Sequence, residues 1–122
     1  MKKALLGILL LSVTIIAGSC KSKDPAILKV FVRSSSNQLM NGARVVIIGD
    51  QQSNPATMPF TDTSYTNSSG FTTVNMDDYF TTYADQTTGY FDILVKQNTK
   101  NASGYSRCRV HTTSVETIFL PN

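Results

Sequence analysis

Alternation of apolar and polar residues predicts β-strands through most of the chain after residue 26. Ile27 to Arg33 alternates in this way, with Leu28, Val30 and Val32 on one face and basic residues on the other. A period of two is the pattern of a strand with one buried face. No later stretch places apolar residues at helical spacing over three turns. The folded part is therefore expected to be all-β.

Turn residues separate six further segments with strand signals. Asn41-Gly42 and Asn67-Ser68-Ser69-Gly70 predict turns because asparagine and glycine tolerate a positive φ. Asp50 to Pro59 is predicted to be a loop, since its prolines lack the N–H that a central strand needs, and Asn98 to Gly104 is predicted to turn. The six predicted strands are Ala43 to Gly49, Thr61 to Thr66, Phe71 to Val74, Tyr90 to Lys96, Tyr105 to Thr112 and Val115 to Leu120.

Seven short strands in roughly 100 residues favour a sandwich of two sheets over a barrel. We therefore predict a single seven-stranded antiparallel Ig-like sandwich over residues 26–122. Met76 to Gly89 is the least regular stretch and is expected to hold one helical turn or a bulged crossing. Its aromatic residues Tyr79, Phe80 and Tyr83 favour a small satellite core, and the alternative is a ligand-contact loop.

The amino-terminal segment has the pattern of an export signal. Basic residues follow Met1, and Ala4 to Ile16 is an apolar run of about thirteen residues, shorter than the roughly 20 that a spanning helix needs. Ala17-Gly18-Ser19 then places small residues directly before Cys20. This arrangement resembles a bacterial lipoprotein signal peptide. The resemblance implies cleavage before Cys20, a diacylglycerol on its sulfur and an acyl chain, such as palmitate, on its amine.

The predicted organisation is a signal peptide over residues 1–19, a lipidated tether over 20–25 and the β-sandwich domain over 26–122. Several acyl chains, at about 0.8 kcal/mol per buried methylene, would make the membrane anchor effectively permanent. Lys21 follows the cysteine, which resembles lipoproteins that are sent on to the outer membrane. The expected location is therefore the cell envelope, and within it the outer membrane.

Net charge gives no support for nucleic-acid binding. Removing Lys2 and Lys3 with the signal leaves 9 of the 11 basic residues against 8 acidic ones, a net charge of +1. Arg107 and Arg109 share one face of a predicted strand, where a solvated surface is favoured over a phosphate site. No nucleic-acid partner is expected.

Three motifs of the sandwich resemble the carboxypeptidase-regulatory-like, or transthyretin-like, domains. Asn41-Gly42-Ala43-Arg44-Val45 matches their turn into a Val-rich strand, and Thr66-Asn67-Ser68-Ser69-Gly70-Phe71 matches a second turn with Asn for Asp. Tyr90-Phe91-Asp92-Ile93-Leu94-Val95 matches a later strand that begins with tyrosine. The resemblance implies an accessory module that packs against or presents something else, but a fold alone does not transfer a function.

Residues with catalytic or metal-binding chemistry are few and scattered. Cys108 and His111 are three apart, which places them on opposite faces of a strand. Zinc needs three or four ligands, and Asp77, Asp78 and Asp85 do not have the spacing of a calcium loop. We therefore predict no catalytic residue, no metal, no cofactor and no enzymatic activity.

The leading functional hypothesis is a non-enzymatic, lipid-anchored binding or assembly module of the cell envelope. Its partner would be an envelope protein or an extracellular glycan, bound through a sheet edge or through the loops Asp50 to Phe60 and Met76 to Gly89. One alternative is a structural envelope lipoprotein without a specific ligand. Another is an unrecognised hydrolase, which would need a cleft that brings His111 near an acidic residue and a nucleophile.

Overall fold

The computed structural model describes residues 24–122, which form seven strands and one short helix in two packed sheets. The strand order is β4-β1-β7 in one sheet and β3-β2-β5-β6 in the other. This arrangement confirms the predicted seven-stranded sandwich. The elements are β1 (Ile27–Ser34), β2 (Arg44–Gly49), β3 (Thr61–Tyr65), β4 (Phe71–Asn75), α1 (Asp77–Thr82), β5 (Thr88–Gln97), β6 (Lys100–Arg109) and β7 (Thr113–Leu120).

One strand pair departs from the predicted antiparallel arrangement. β7 pairs with β1 in parallel, from Thr113 opposite Ile27 to Leu120 opposite Ser34. The prediction of a wholly antiparallel sandwich is therefore wrong for this pair. The physical reason is that β7 follows β6, which lies in the other sheet. A strand that crosses between sheets is free of the two-residue hairpin that forces antiparallel pairing.

The directions of the strands divide the connections between two ends of the sandwich. The amino end, where β1 begins, carries residues 50–60, 76–87 and 110–112. The far end carries residues 35–43, 66–70 and 98–99. Both loops that were predicted from the sequence to contact a partner therefore lie at the amino end, on the same side as the predicted tether.

The core lies between the two sheets and follows the predicted alternation. Leu28, Val30 and Val32 of β1 are fully buried, as are Phe91 and Ile93 of β5. At roughly 1.5–3 kcal/mol for each large apolar side chain, this layer is the main source of stability. The further core residues of the strands are Val45, Ile47, Val74, Val95, Cys108, Ile118 and Leu120.

β6 begins earlier and ends earlier than the sequence predicted. Only Asn98 and Thr99 separate it from β5, so the predicted turn as far as Gly104 is wrong. The inward residues Ala102 and Gly104 are small, and Gly104 packs so close to Ile118 that an added Cβ would lie 2.9 Å from the Ile118 side chain. Because small residues lie beneath Ile118, this half of β6 lacks the alternating large apolar residues by which a strand is predicted. β6 also ends at Arg109, and His111 lies in the following turn with a φ of 60°.

Two turns are built as their sequences predict. Gly42 and Gly70 take φ values of 79° and 75°, which other residues adopt at a cost. The Asn67 side-chain oxygen accepts hydrogen bonds from the backbone N–H groups of Ser69 and Phe71. The glycines and Asn67 of these motifs therefore serve to form turns of the fold.

The stretch from Met76 to Gly89 contains α1, which confirms the expected helical turn. Across residues 24–122, no helix has the length and apolar character needed to cross a membrane. The predicted signal peptide and its lipid attachment at Cys20 lie outside the described residues.

Candidate functional site: a cationic groove on the four-stranded sheet

The aromatic residues of the predicted ligand-contact loop contribute to a ring cluster at the amino end. Tyr79 and Phe80 are only 1% and 8% exposed, and Tyr83 is half-buried. The Tyr79 ring packs edge-on against Phe80 and Phe91, with centroid distances of 5.1 and 5.2 Å. Such contacts stabilise a core beyond their buried area. Tyr79 and Phe80 therefore have no free ring face for a ligand to stack on.

Cys108 and His111 have separate surroundings. Cys108 is buried, and burial raises the pKa of its thiol to about 11, opposed by hydrogen bonds with Ser114 and Ser106. His111 is exposed, and its Nδ1 lies 2.8 Å from the backbone oxygen of Asp24. A thiol with a raised pKa carries little thiolate at neutral pH. The structure does not join the two residues into a nucleophile pair.

The acidic residues of the irregular stretch are dispersed. Asp77 accepts a hydrogen bond from the backbone N–H of Ala26 over 2.9 Å, so its carboxylate holds the start of β1 against α1. Between residues 24 and 122, no three His, Cys, Asp or Glu side chains are grouped closely enough to hold a metal ion.

A groove of about 580 Å³ lies on the outer face of the four-stranded sheet, near the far end. Two rows of residues contribute to it, because side chains directly opposite one another in a register point to the same face. The row nearest the far end is Tyr65, Arg44, Lys96 and Asn101, and the next is Thr63, Val46, Leu94 and Ser103. All of them except Tyr65 and Thr63 line the groove.

The groove combines an apolar floor with a cationic wall. Leu94 is 46% exposed and lies opposite Val46, while Tyr65, beside the groove, is 63% exposed. Arg44 and Lys96 face each other directly across β2 and β5.

None of the eight residues in the two rows is acidic, and neither cation forms an ion pair within residues 24–122. Like charges placed opposite each other destabilise a sheet. The groove thus combines two adjacent cations with exposed apolar side chains.

Tyrosine side chains occupy the middle of the same outer face. Tyr90 and Tyr105 stack with a centroid distance of 6.2 Å. The Tyr105 hydroxyl donates a hydrogen bond of 2.7 Å to Asp50, and this bond raises the pKa of Tyr105 to about 12. Beyond them, toward the amino end, Arg107 and Arg109 share the face as predicted and line a second depression of about 360 Å³.

The groove was not predicted from the sequence, although the sequence contains a signal for it. β2 is apolar at nearly every position, a pattern that a central place in its sheet also favours. In a sandwich, however, each strand has one face that points away from the core. The outward apolar residues Val46, Ile48 and Leu94 therefore indicate an exposed apolar face.

Two solved structures are similar to this chain in fold. A chlorocatechol 1,2-dioxygenase from Pseudomonas putida has a TM-score of 0.52 and 11% identity, covering 85% of this chain and 63% of that chain. A catechol 1,2-dioxygenase variant of Acinetobacter radioresistens has a TM-score of 0.50 and 8% identity, covering 86% of this chain and 54% of that chain. This chain thus spans less than two thirds of either length. Identities this low show a shared β-sandwich and do not transfer an activity.

No protein-family model matches the chain. No curated protein matches it either.

Proposed function

We propose that this chain is a non-catalytic, lipid-anchored binding module of the cell envelope, and that its groove binds an acidic extracellular polysaccharide. The observation that carries the proposal is the groove itself, where the pair Arg44 and Lys96 lies next to the apolar pair Val46 and Leu94. Contiguous apolar surface rimmed by polar groups is typical of binding sites.

The anchor half of the proposal rests on the sequence. The apolar run from Ala4 to Ile16 and the small residues before Cys20 resemble a lipoprotein signal. The resemblance to carboxypeptidase-regulatory-like domains supports an accessory role. An outer-membrane location follows from the same signals and belongs to the same proposal.

The position of the groove favours a glycan over an extended peptide. β2 and β5 each have a neighbouring strand on both sides, so their backbone groups are used within the sheet. A peptide that adds a strand needs the free backbone groups of an edge. Recognition over β2 and β5 must therefore come from side chains, and of the strands that line the groove only β6, which supplies Asn101 and Ser103, lies at an edge of the sheet.

The side chains present suit a carboxylated sugar. Arg44 and Lys96 can form charge-assisted hydrogen bonds with carboxylates, and Asn101 and Ser103 can hydrogen-bond to hydroxyl groups. The Leu94 side chain and the Tyr65 ring offer apolar surface to the flat faces of sugar rings. A polyuronate supplies all of these complementary groups in one repeating chain.

Binding of polygalacturonate to the full chain in detergent micelles tests the proposal, with uncharged dextran as the reference polymer. Replacing Arg44 with Gln is expected to weaken binding about 10- to 150-fold, because a charge-assisted hydrogen bond contributes about 1.5–3 kcal/mol. Lys96→Gln should have a similar effect, and raising the salt concentration should weaken binding of the unmodified chain.

Arg107→Gln and Arg109→Gln are the matched controls, because they remove the same charge from the same sheet face outside the groove. Equal losses from both sets of variants would indicate general charge attraction and would contradict a site in the groove. Equal binding of dextran would contradict recognition of carboxylates.

A further inference from the structure

The chain is fixed to the sandwich from Asp24 onward. The Asp24 carbonyl oxygen lies 2.8 Å from His111 Nδ1, and the Ile27 N–H donates to the carbonyl of Thr112 over 3.0 Å. Between them, Ala26 is fully buried and donates to Asp77. Three successive contacts thus hold this segment against α1 and the β6–β7 turn, residues 110–112.

Only three residues separate this fixed point from the predicted lipid attachment. From Cys20 to Asp24 the chain makes four Cα steps, which extend at most about 14 Å. The sandwich has two ends, and the first fixed residue lies at the amino end. A tether this short leaves little freedom to turn the domain over.

From these contacts we infer that the amino end of the sandwich faces the bilayer, with the β6–β7 turn nearest to the phospholipid headgroups. The inference deepens the proposed function and rests on its lipid anchor.

The charges at the amino end select the side that approaches the surface. Arg107 and Arg109 lie on β6, next to the β6–β7 turn, and Asp85 lines the same depression as these arginines, while Asp77 and Asp78 lie on α1. Basic side chains near a membrane with anionic lipids gain about 1 kcal/mol each, and the attraction ends within a Debye length. The arginine-bearing end of β6 is therefore drawn toward the lipid phosphates, and the aspartates on and beside α1 oppose a closer approach of the helix.

The same geometry turns the groove outward. Lys96 is eight residues further along β5 than Thr88, a distance of roughly 27 Å along the strand. The groove would therefore lie well outside the headgroup region, where a polymer in the surrounding space can reach it. The loops at residues 50–60 and 76–87 would instead lie close to the bilayer.

Tryptophan fluorescence tests this orientation, because the chain contains no tryptophan. Two exposed threonines provide matched reporter sites, Thr113 at the amino end and Thr99 at the far end. Each variant, Thr113→Trp and Thr99→Trp, is prepared as the full lipidated chain in vesicles of phosphatidylcholine and phosphatidylglycerol with a nitroxide on a fraction of the headgroups. We expect a large loss of fluorescence from Thr113→Trp and little or none from Thr99→Trp.

The controls separate failure of the orientation from failure of the anchor. Circular dichroism establishes that both variants fold, and flotation with vesicles establishes that they are anchored. Equal quenching of two folded, anchored reporters would overturn the inferred orientation and leave the anchor intact. A chain that does not float with vesicles, or that floats equally well as Cys20→Ala, would overturn the anchor and the orientation that depends on it.

Discussion

The backbone N–H of Met58 donates a hydrogen bond of 3.0 Å to the hydroxyl oxygen of Tyr79. Met58 lies in the loop between β2 and β3, and Tyr79 lies on α1. The bond therefore joins the loop to the helix through two residues that are 21 positions apart in the sequence. The Phe60 ring packs edge-on against Tyr79, with a centroid distance of 5.7 Å. Loop and helix therefore form one ordered unit at the amino end.

Removing the Tyr79 hydroxyl should destabilise the protein. In Tyr79→Phe the partly buried N–H of Met58 loses its partner, which costs about 1–3 kcal/mol. Urea unfolding of the two proteins measures the difference. Tyr83→Phe is the matched control, because its hydroxyl donates to the Pro59 carbonyl at an exposed position. A loss for Tyr83→Phe as large as that for Tyr79→Phe would contradict the reason given.

Gly49 should not accept a side chain. A Cβ at this position would lie 2.5 Å from the backbone oxygen of Met58, and backbone cannot swing aside as a side-chain tip can. Gly49→Ala is therefore expected to lower the free energy of unfolding by about 1–3 kcal/mol. The exposed Thr99→Ala should stay within about 0.5 kcal/mol of the unmodified protein. Thermal unfolding compares the three, and an unchanged Gly49→Ala would show that residues 50–60 shift without cost.

The ionisation of Tyr105 should depend on Asp50. The hydrogen bond to the Asp50 carboxylate favours the protonated phenol and raises the pKa of Tyr105 to about 12. Because the pKa is raised in the folded state, the stabilisation is fully present below the ordinary value of 10.0 and is lost as the pH rises through about 12. In Asp50→Asn we expect the pKa of Tyr105 to fall toward 10.0.

Nuclear magnetic resonance of ¹³C-labelled tyrosine follows this titration residue by residue. Asp92→Asn is the control, because Asp92 acts on Tyr105 through charge alone and should lower the pKa by less. Equal decreases in the two variants would contradict the role of the hydrogen bond.

Cys108 should react slowly while the protein is folded. Its thiol is buried, so a reagent has little access to it. Burial also raises its pKa to about 11, so only a small fraction of the thiol is ionised at pH 8. Iodoacetamide labelling should be slow in buffer and fast in denaturant. The raised pKa also implies stability that is present below pH 9 and lost as the pH rises through about 11. Cys108→Ala should weaken that pH dependence, and fast labelling of the folded protein would contradict the burial.

The sequence alone was sufficient for the strands whose residues alternate. Leu28, Val30 and Val32 were placed in the core because their spacing matches the period of a strand, and the structure buries all three. The turn at Asn67 and Gly70 could also be predicted, since its chemistry is local to five residues. β6 was predicted less well, because a strand of small and polar residues carries little apolar signal.

The candidate site depended on pairings that no local pattern contains. Arg44 and Lys96 are 52 positions apart, and they become neighbours only through the register of β2 with β5. Tyr79 and Phe80 could equally have faced solvent until α1 was packed against Phe60 and Phe91. Exposure of an aromatic ring is decided by what covers it, and sequence spacing does not contain that information.

The sequence by itself determined that the chain after residue 26 forms a β-sandwich, because alternation and turn chemistry act over a few residues. Only the tertiary structure decided that β7 joins β1 in parallel and that the connections divide between two ends. Strand order and direction depend on contacts between segments that are distant in the sequence. The entropic cost of bringing two such segments together rises only slowly with the length of chain between them, so that length does not select one pairing over another.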